Sequence, residues 1–393
     1  MFFSKKKFLL GALAIGSMLL FGGCGGGDQP AASGGGGDEI VVGSNFELTG
    51  NQAAYGSNSN NGLKLALKEA NDAGGINGKK FKIVEADTKS EAAESVNAAT
   101  KLISDDNVKV IVGPAVTANV IAESQVATEN KIPVIAPDAT NPDVTVENDM
   151  VKPYIFRSCF IDPQQGTVMA QFASKELNAK TAVLYLDSSS DYSKSLGKVF
   201  KEKFESEGGQ VVMEEAFLAK DQDFKATLTR IQTANADVIF VPAYYEEVGK
   251  IVKQARELGI TAAMLGTDGW DDPKVIDIAG ADALNNTFFC THYFDKDADV
   301  QPFIEAYKKE YGNDPNVFAA LGYDAGKMLV DAVQRGGDDS EKIRDNLENI
   351  KDLKVGTGMI TMDPKTHNPI KGAVVIETKN GVRELRAKIA PEG

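Results

Sequence analysis

Histidine and cysteine, the side chains that most often carry nucleophilic and metal chemistry, are scarce in this chain of 393 residues, which has two His and three Cys. So few ligands exclude a Cys-rich zinc site and a His-based metal cage. The motifs G-x-S-x-G, G-x-x-x-x-G-K-[ST], G-x-G-x-x-G and H-E-x-x-H are all absent, and with them the signatures of an activated serine, a phosphate loop, a dinucleotide site and a zinc protease. We therefore predict no catalytic residue, no metal and no cofactor.

The two histidines lie in different local patterns. His292 belongs to a predicted strand, FCTHYF at 289–294, and His367 to a predicted turn that ends in Asn368-Pro369. For both we expect an ordinary surface or hydrogen-bonded role.

The composition of the chain limits the classes of protein to which it can belong. The chain is 42% hydrophobic and long enough for two cores of about 100–200 residues each. It has 42 Lys and Arg residues and 56 Asp and Glu residues, which gives a formal net charge of −14. Because binding to DNA or RNA depends on a basic surface, we predict no nucleic-acid partner.

The first residues have the pattern of an export signal. Three lysines at 5–7 precede an uncharged run of 14 residues at 8–21, shorter than the about 20 residues of a membrane-spanning helix. The run ends in LFGGC at 20–24, which resembles the lipobox of bacterial lipoproteins. That resemblance implies a signal peptide over 1–23 and a lipid-anchored Cys24 as the first mature residue. The alternative is an ordinary secretory signal that is cut nearby.

The following residues, 24–38, form a predicted tether. They include seven glycines, and such a composition buries little apolar area and behaves as a flexible coil. We expect folded structure to begin near Glu39.

Beyond Glu39, short runs rich in Val and Ile alternate with longer stretches of helical period, which predicts α/β construction with parallel sheets. The predicted strands are 40–43, 81–84, 108–112, 133–135, 182–186, 211–212, 237–241 and 263–265, and a strand pattern returns at 357–376. One series of strands precedes the extended segment 154–158 and another follows it. We therefore predict two doubly wound lobes, since a single sheet with all these strands would exceed a usual core.

Cys159 and Cys290 leave two alternatives open. Both lie where we predict segments that cross between lobes, and an oxidising compartment would allow a disulfide between them. In the other alternative they are buried thiols that pack as small apolar side chains.

Several segments carry a resemblance to a known family. They are VGSNFELTG at 42–50, AYG at 54–56, ANDAGGINGK at 70–79, IVGP at 111–114, IPVIAP at 132–137, ATNP at 139–142, FR at 156–157, DQDF at 221–224 and VKQARELG at 252–259. In this order they resemble the leucine/isoleucine/valine-binding proteins, which are type I extracytoplasmic receptors of ABC transporters. The resemblance covers nearly all of the chain beyond the tether.

The resemblance implies a fold of two α/β lobes joined by three crossing segments. Carried over, the crossings lie near Ser158, Thr291 and Gly372. Lobe 1 would then comprise 39–158 plus 292–372, and lobe 2 would comprise 159–291 plus 373–393.

The resemblance also implies a ligand site. Thr117 and Thr140 match hydroxyl positions that hold an amino acid's α-carboxylate in the family, and Asp268 matches the acid that binds its ammonium. Asp138 replaces a small residue of the family and would repel a ligand carboxylate or capture an ammonium. For the two threonines, helix N-capping is the alternative role.

Four aromatic residues match positions that line the ligand pocket in the family. They are Tyr55, Tyr192, Tyr244 and Phe318. Phe318 begins a helix-like run, so plain core packing is its alternative. Trp270 follows Asp268 closely and is expected either at the rim of the cleft or in the core of a lobe.

The function that the resemblance implies is capture of an amino acid, branched-chain or otherwise apolar, by hinge closure, with delivery to a permease. The implied partners are this ligand, the transmembrane subunits of an ABC permease and the membrane that holds the lipid anchor. The chain would act as a monomer, in the periplasm or on the outer face of the cytoplasmic membrane.

Three alternatives remain open. The same fold could bind an amide, urea, an aromatic acid or a cationic ligand, which Asp138 favours. An enzyme could use Asp138 and Asp268 as paired carboxylates. The chain could instead be a sensory receptor whose lobe closure is recognised by a signalling partner.

Overall fold

The computed structural model describes residues 39–390. The predicted signal peptide, tether and lipidation site at Cys24 lie outside these residues. Within them the predicted α/β class with parallel-sheet lobes is confirmed, and every predicted strand has a counterpart. No helix of this described part is both long and apolar enough to cross a membrane.

The first sheet is wholly parallel. Its region contains β1 (Glu39–Phe46), α1 (Ala53–Asp72), β2 (Lys80–Asp87), α2 (Ala92–Ser104), β3 (Val110–Val112), α3 (Thr117–Glu129), β4 (Val134–Ala136), the hairpin β5 (Val146–Glu147) and β6 (Met150–Val151), and β7 (Ile155–Arg157). The strands lie in the order β2-β1-β3-β4-β7. The strands β3, β4 and β7 are buried at every position, including Arg157 at the end of β7, as in strands that are covered on both faces.

The second sheet begins with the region that follows β7. This region contains α4 (Asp162–Gln171), β8 (Thr181–Asp187), α5 (Asp191–Ser206), β9 (Gln210–Phe217), α6 (Lys225–Ala234), β10 (Val238–Phe240), α7 (Tyr245–Glu257), β11 (Ala263–Gly266), α8 (Lys274–Ala279) and β12 (Thr287–Thr291). The last region contains α9 (Gln301–Tyr311), α10 (Val317–Gly336), α11 (Ser340–Glu348), β13 (Leu353–Val355), β14 (Gly358–Asp363), β15 (Asn368–Ile370), β16 (Ala373–Lys379) and β17 (Val382–Ile389).

An antiparallel hairpin closes one edge of the second sheet, whose order is β17-β16-β12-β11-β10-β8-β9. Its two turn residues, Asn380 and Gly381, have φ angles of 52° and 74°, which match the twist of paired strands. The strand β17 was not among the predicted strands. It is an edge strand with four charged residues among its eight, so it lacks the apolar run that marks an inner strand.

The chain passes between the two sheets after β7, after β12 and before β16. We call the first sheet, with α1–α3, α9–α11 and β13–β15, lobe 1, and the second sheet, with α4–α8, lobe 2. Glycines let α1 and α10 of lobe 1 approach closely. A Cβ on Gly62 would lie 1.9 Å from the carbonyl oxygen of Ala319, and one on Gly322 would lie 2.0 Å from that of Ser59. This close approach brings the start of α1 beside the start of α10.

A buried ion pair holds two of the passages together. Lys371 precedes β16, and its Nζ lies 3.1 Å from Asp324 Oδ2, with side-chain exposures of 4% and 0%. The same Nζ donates to the carbonyl oxygen of Ser158 at 2.9 Å and to Thr357 Oγ1 at 2.7 Å. Since Ser158 directly follows β7, one cation joins the first and third passages to α10.

The predicted option of a disulfide between Cys159 and Cys290 is wrong, because both are buried free thiols. Cys159 packs in the apolar cluster shared by the two lobes, and its sulfur donates to the carbonyl oxygen of Ala139 at 3.4 Å. Cys290 packs in a separate cluster inside lobe 2. The alternative of two thiols that act as small apolar side chains is the one that the structure contains.

Candidate functional site

A cavity lies where loops from the carboxyl ends of strands in both lobes meet. Its empty volume is about 260 Å³, and it is lined by Tyr55, Ala115, Val116, Thr117, Asp138, Tyr192, Tyr244, Asp268, Gly269 and Phe318. All the predicted ligand residues except Thr140 are in this lining. A wider depression, with an empty volume of about 1090 Å³, lies beside Asn235 and Gly259, but it is at the amino ends of the strands of lobe 2, where α/β folds seldom bind ligands.

Asp268 stands on the lobe 2 side of the cavity and is held by uncharged donors. It begins a short 3-10 helix directly after β11 and Thr267. Tyr192 donates its hydroxyl to Oδ1 at 2.7 Å, and the backbone N–H of Asp268 donates to Gln165 Oε1 at 3.0 Å. His292 Nε2 lies 3.3 Å from Oδ2. No Lys or Arg among the described residues forms an ion pair with this buried carboxylate.

Thr117 stands on the opposite, lobe 1 side, as the first residue of α3. The N-cap of α3 is Val116, and its side chain makes no capping hydrogen bond, so the capping role considered for Thr117 is wrong. Glu47 accepts hydrogen bonds from the amides of Ala115 and Val116 at 2.9 and 3.3 Å and so shapes this loop. The buried hydroxyl of Thr117 has no hydrogen-bond partner among the described residues. A helix N-terminus with a free hydroxyl can receive an anion.

Thr140 lies beside the cavity and not in its lining. Its carbonyl oxygen accepts a hydrogen bond from the amide of Asp162 at 2.9 Å, which joins the loop after β4 to the start of α4. The capping role is wrong for Thr140 as well, because the next short helix is capped by Asn141. Burial raises the pKa of Asp162 to about 7, and the negative charge of Asp268 contributes to that shift.

Asp138 presents a second carboxyl group to the cavity. Ser59, on α1, donates its hydroxyl to Oδ2 at 2.6 Å, whereas the buried Oδ1 has no hydrogen-bond partner among the described residues. Burial raises the pKa of Asp138 well above its ordinary value, and the charges of Asp268 and Glu47 add to the effect. Burial therefore favours a protonated Asp138, which can both donate and accept a hydrogen bond.

The predicted aromatic residues form one continuous wall. The ring centroids of Tyr55 and Phe318 are 4.2 Å apart, those of Tyr55 and Tyr244 are 5.7 Å apart, and Tyr192 stacks on Tyr244 at 5.1 Å. Phe318 also belongs to the core of lobe 1, so both of its predicted roles coincide. Aromatic faces offer rigid apolar area to a ligand side chain.

Tyr55 also joins the two lobes across the cavity. Its hydroxyl donates to the carbonyl oxygen of Gly269 at 2.7 Å and accepts from the amide of Tyr245 at 2.8 Å. Tyr55 is on α1 of lobe 1, whereas Gly269 and Tyr245 belong to lobe 2. The lobes are therefore closed on one another in this structure.

Other residues near the site differ from their sequence-based expectations or were absent from them. Ser59, Gln165 and His292 were not predicted as site residues, because each acts through a partner that is distant in sequence. Trp270 lies in the core of lobe 2, where its indole N–H donates to the carbonyl oxygen of Val241 at 2.8 Å. His367 is buried in lobe 1, and its Nδ1 lies 3.0 Å from the carbonyl oxygen of Ile155. Within residues 39–390 no group of three His, Cys, Asp or Glu side chains is arranged to hold a metal.

Comparison with known proteins gives consistent matches. A family model described as periplasmic binding protein matches residues 39–382. The chain is 31% identical to the Leu/Ile/Val-binding protein BraC3 of Rhizobium johnstonii, over 82% of this chain and 87% of that protein. It is similar to the branched-chain amino acid transporter substrate-binding protein LivJ of Streptococcus pneumoniae, solved with isoleucine, with 37% identity, a TM-score of 0.85 and coverage of 90% and 100%.

A third match binds a different ligand. The solute-binding protein of an ABC transporter from Rhodopseudomonas palustris, solved with 3,4-dihydroxybenzoic acid, is 26% identical with a TM-score of 0.80, over 91% of this chain and 99% of that one. The relatives are thus binding proteins with ligands of more than one chemical class.

Proposed function

Because the chain belongs to the periplasmic binding protein family, we propose that it is the extracytoplasmic binding component of an ABC importer and captures a free amino acid, branched-chain or otherwise apolar. The proposal includes export by a signal peptide over 1–23, lipid anchoring through Cys24 and the tether over 24–38. Its partners are the amino acid and the transmembrane subunits of a permease, and it acts as a monomer. The chemistry is binding and release, in line with relatives that are binding proteins.

The observation that carries this proposal is the pair of opposed polar groups in the cavity. Thr117 at the start of α3 is suited to an α-carboxylate, and Asp268 on the other lobe is suited to an ammonium. An amino acid is the small molecule that carries both charges on one carbon.

The carboxylate of Asp268 argues against an aromatic acid as the ligand. An aromatic acid carries a negative charge and no ammonium, so it would meet Asp268 without a compensating cation. The aromatic wall is instead proposed to pack against an aliphatic side chain, because Tyr55, Tyr244 and Phe318 offer apolar area on the remaining side.

The proposed mechanism is hinge closure about crossings near Ser158, Thr291 and Gly372. The moving bodies are 39–158 plus 292–372 and 159–291 plus 373–393. The Tyr55 hydroxyl bonds to Gly269 and Tyr245 are made only when the lobes meet. A ligand that contacts Thr117 on one lobe and Asp268 on the other adds to these bonds and shifts the population toward the closed state, which a permease would recognise.

The test is thermal unfolding of the soluble body, refolded to remove carried-over ligand, against the twenty amino acids, amides, urea, polyamines and benzoates. A ligand at about 100 times its dissociation constant adds about 2.7 kcal/mol of stability, or roughly 5–10 °C for a body of this size. We expect such a shift from Leu, Ile or Val. A shift from benzoates alone, or conversion of a ligand to another compound, would contradict the proposal.

A second candidate is a ligand whose side chain carries a hydrogen-bond donor, and Asp138 is the observation that favours it. Its partner Ser59 lies one helical turn after Tyr55 on α1, so the carboxyl group stands beside the aromatic wall. The unpartnered Oδ1 would form a hydrogen bond with an amide or hydroxyl group of the ligand. An aliphatic side chain would leave that buried oxygen unsatisfied.

Leucine and asparagine are a matched pair for this question, because they have nearly the same shape and differ in polarity. We expect Asp138→Ala to shift the ratio of their dissociation constants at least about tenfold toward leucine, since the variant removes a hydrogen-bond partner of the amide and an unsatisfied oxygen beside the isobutyl group. Calorimetric titration of both ligands measures the ratio.

The control for this experiment is Asp143→Ala, which removes an exposed carboxylate from the same loop of lobe 1. It should leave the ratio unchanged. An equal ratio in the wild type and in Asp138→Ala would mean that Asp138 does not face the ligand side chain.

A further inference from the structure

His292 is a buried histidine at a passage between the lobes, and none of the site's predicted roles uses it. It follows the last residue of β12, and its side chain has an exposure of 0%. Its ring stacks on Phe160 with centroids 3.5 Å apart and an interplanar angle of 17°. Phe160 lies in the first passage, two residues after Ser158. The imidazole therefore contacts two of the three segments that join the lobes.

The other contact of His292 is the carboxylate of Asp268. Nε2 lies 3.3 Å from Oδ2, whereas Oδ1 accepts from Tyr192. Each oxygen of Asp268 thus faces one donor from a different element, α5 for one and the second passage for the other. Two such contacts limit rotation of the carboxyl group about the Cβ–Cγ bond of Asp268. They therefore orient the carboxyl group toward the cavity.

The environment of the ring determines its protonation state and tautomer. Burial lowers the pKa of His292 to about 4, and the hydrogen bond and charge of Asp268 only partly oppose that shift. A neutral imidazole carries one N–H. That N–H belongs on Nε2, because an unprotonated Nε2 would set a lone pair against the lone pairs of Asp268. Nδ1 is then a bare acceptor, and it has no hydrogen-bond partner among the described residues.

We propose that His292 is a positioning residue that donates Nε2–H to Asp268, holds this carboxylate toward the ligand's ammonium and ties it to the hinge. The inference rests on the proposed function for the ligand, but the hydrogen bond itself does not. A neutral donor suits this position. It orients the carboxylate and leaves its negative charge for the ligand, whereas a Lys or Arg would neutralise that charge beforehand.

The first experiment is long-range ¹⁵N–¹H NMR of the unliganded protein with ¹⁵N-labelled histidine. The chain has two histidines, and His367 is an internal control because its Nδ1 faces a carbonyl oxygen. We expect opposite neutral tautomers at pH 7, Nε2–H for His292 and Nδ1–H for His367. Substitution Asp268→Asn should shift the His292 signals alone. A charged His292 ring, or a proton on its Nδ1, would overturn the proposal, and neither result depends on the ligand.

The second experiment measures isoleucine affinity in two variants. His292→Phe keeps a flat ring against Phe160 and removes the donor, so binding should weaken about tenfold or more. His292→Gln keeps an N–H near the position of Nε2, so affinity should stay within about threefold of the wild type. Equal losses in both variants would indicate packing alone and overturn the proposal, as would two variants that bind like the wild type.

The two experiments test the proposed function and the proposed role of His292 separately. Failure of the wild type to bind isoleucine or any other amino acid would contradict the proposed function, whereas the NMR tautomer would still decide the contact between His292 and Asp268. Melting temperatures of the unliganded variants show that each is folded.

Discussion

Replacement of Asp268 by alanine is expected to weaken amino-acid binding by at least about a hundredfold. Asp268 is a buried carboxylate in the cavity lining, and the groups bonded to its side chain are the uncharged Tyr192 and His292. The ligand's ammonium would lose its only oppositely charged partner while still losing its hydration on closure. Loss of one member of a buried ion pair costs about 3–5 kcal/mol, and each 1.4 kcal/mol is tenfold in affinity.

The measurement is calorimetric titration of the variant with the amino acid that stabilises the wild type most. Asp268→Asn is a second variant that keeps the shape of the side chain and removes its charge, and it should lose affinity to a similar extent. Both should unfold cooperatively without ligand, because the contacts of Asp268 are confined to the cavity loops and the passages beside them.

The control is Asp282→Asn, which changes the charge of lobe 2 at an exposed position. Its affinity should match that of the wild type. Unaltered binding by both Asp268 variants would show that the ammonium is bound elsewhere, with Asp138 as the next candidate because it is the other carboxyl group in the cavity lining.

Substitution Asp324→Ala is expected to destabilise the fold by about 3–5 kcal/mol. It leaves Lys371 buried, with a side-chain exposure of 4%, and without its counter-ion. The remaining partners of Nζ are the carbonyl oxygen of Ser158 and the hydroxyl of Thr357, which carry no charge. Chemical denaturation of the unliganded protein measures the free energy of unfolding.

An exposed ion pair provides the matched control. Lys201 and Glu214 lie 2.6 Å apart with side-chain exposures of 41% and 49%, and Lys201→Ala should leave the free energy of unfolding close to that of the wild type, because solvent screens an exposed pair. The double variant Lys371→Met with Asp324→Leu should recover most of the stability, because no charge is then left buried. Equal costs for Asp324→Ala and Lys201→Ala would show that Lys371 reaches water when its partner is removed.

Much of the fold could be predicted from the sequence, because the pattern of apolar residues in a segment indicates which of its residues are buried. The apolar runs of β3, β4 and β10 have no alternation, and the structure buries each of them completely. The strand β17 escaped prediction because an edge strand with charged residues looks like a surface loop. Even there, Asn380-Gly381 is a hairpin signal that could have indicated it.

The candidate site was likewise only partly predictable from the sequence. Sequence alone determined which residue types stand at the carboxyl ends of the strands, and Tyr55, Thr117 and Asp268 meet at one cavity as the family resemblance implies. It did not determine that Ser59 holds Asp138 or that His292 faces Asp268, since these pairs are separated by 79 and 24 positions.

Only the tertiary structure decided those contacts, because they depend on how separate elements pack. Ser59 reaches Asp138 because α1 packs beside the loop that follows β4. The bonds of Tyr55 to lobe 2 exist only because the lobes are closed. Periodicity along one segment records which face is buried, but it carries no information about which distant side chain lies opposite that face.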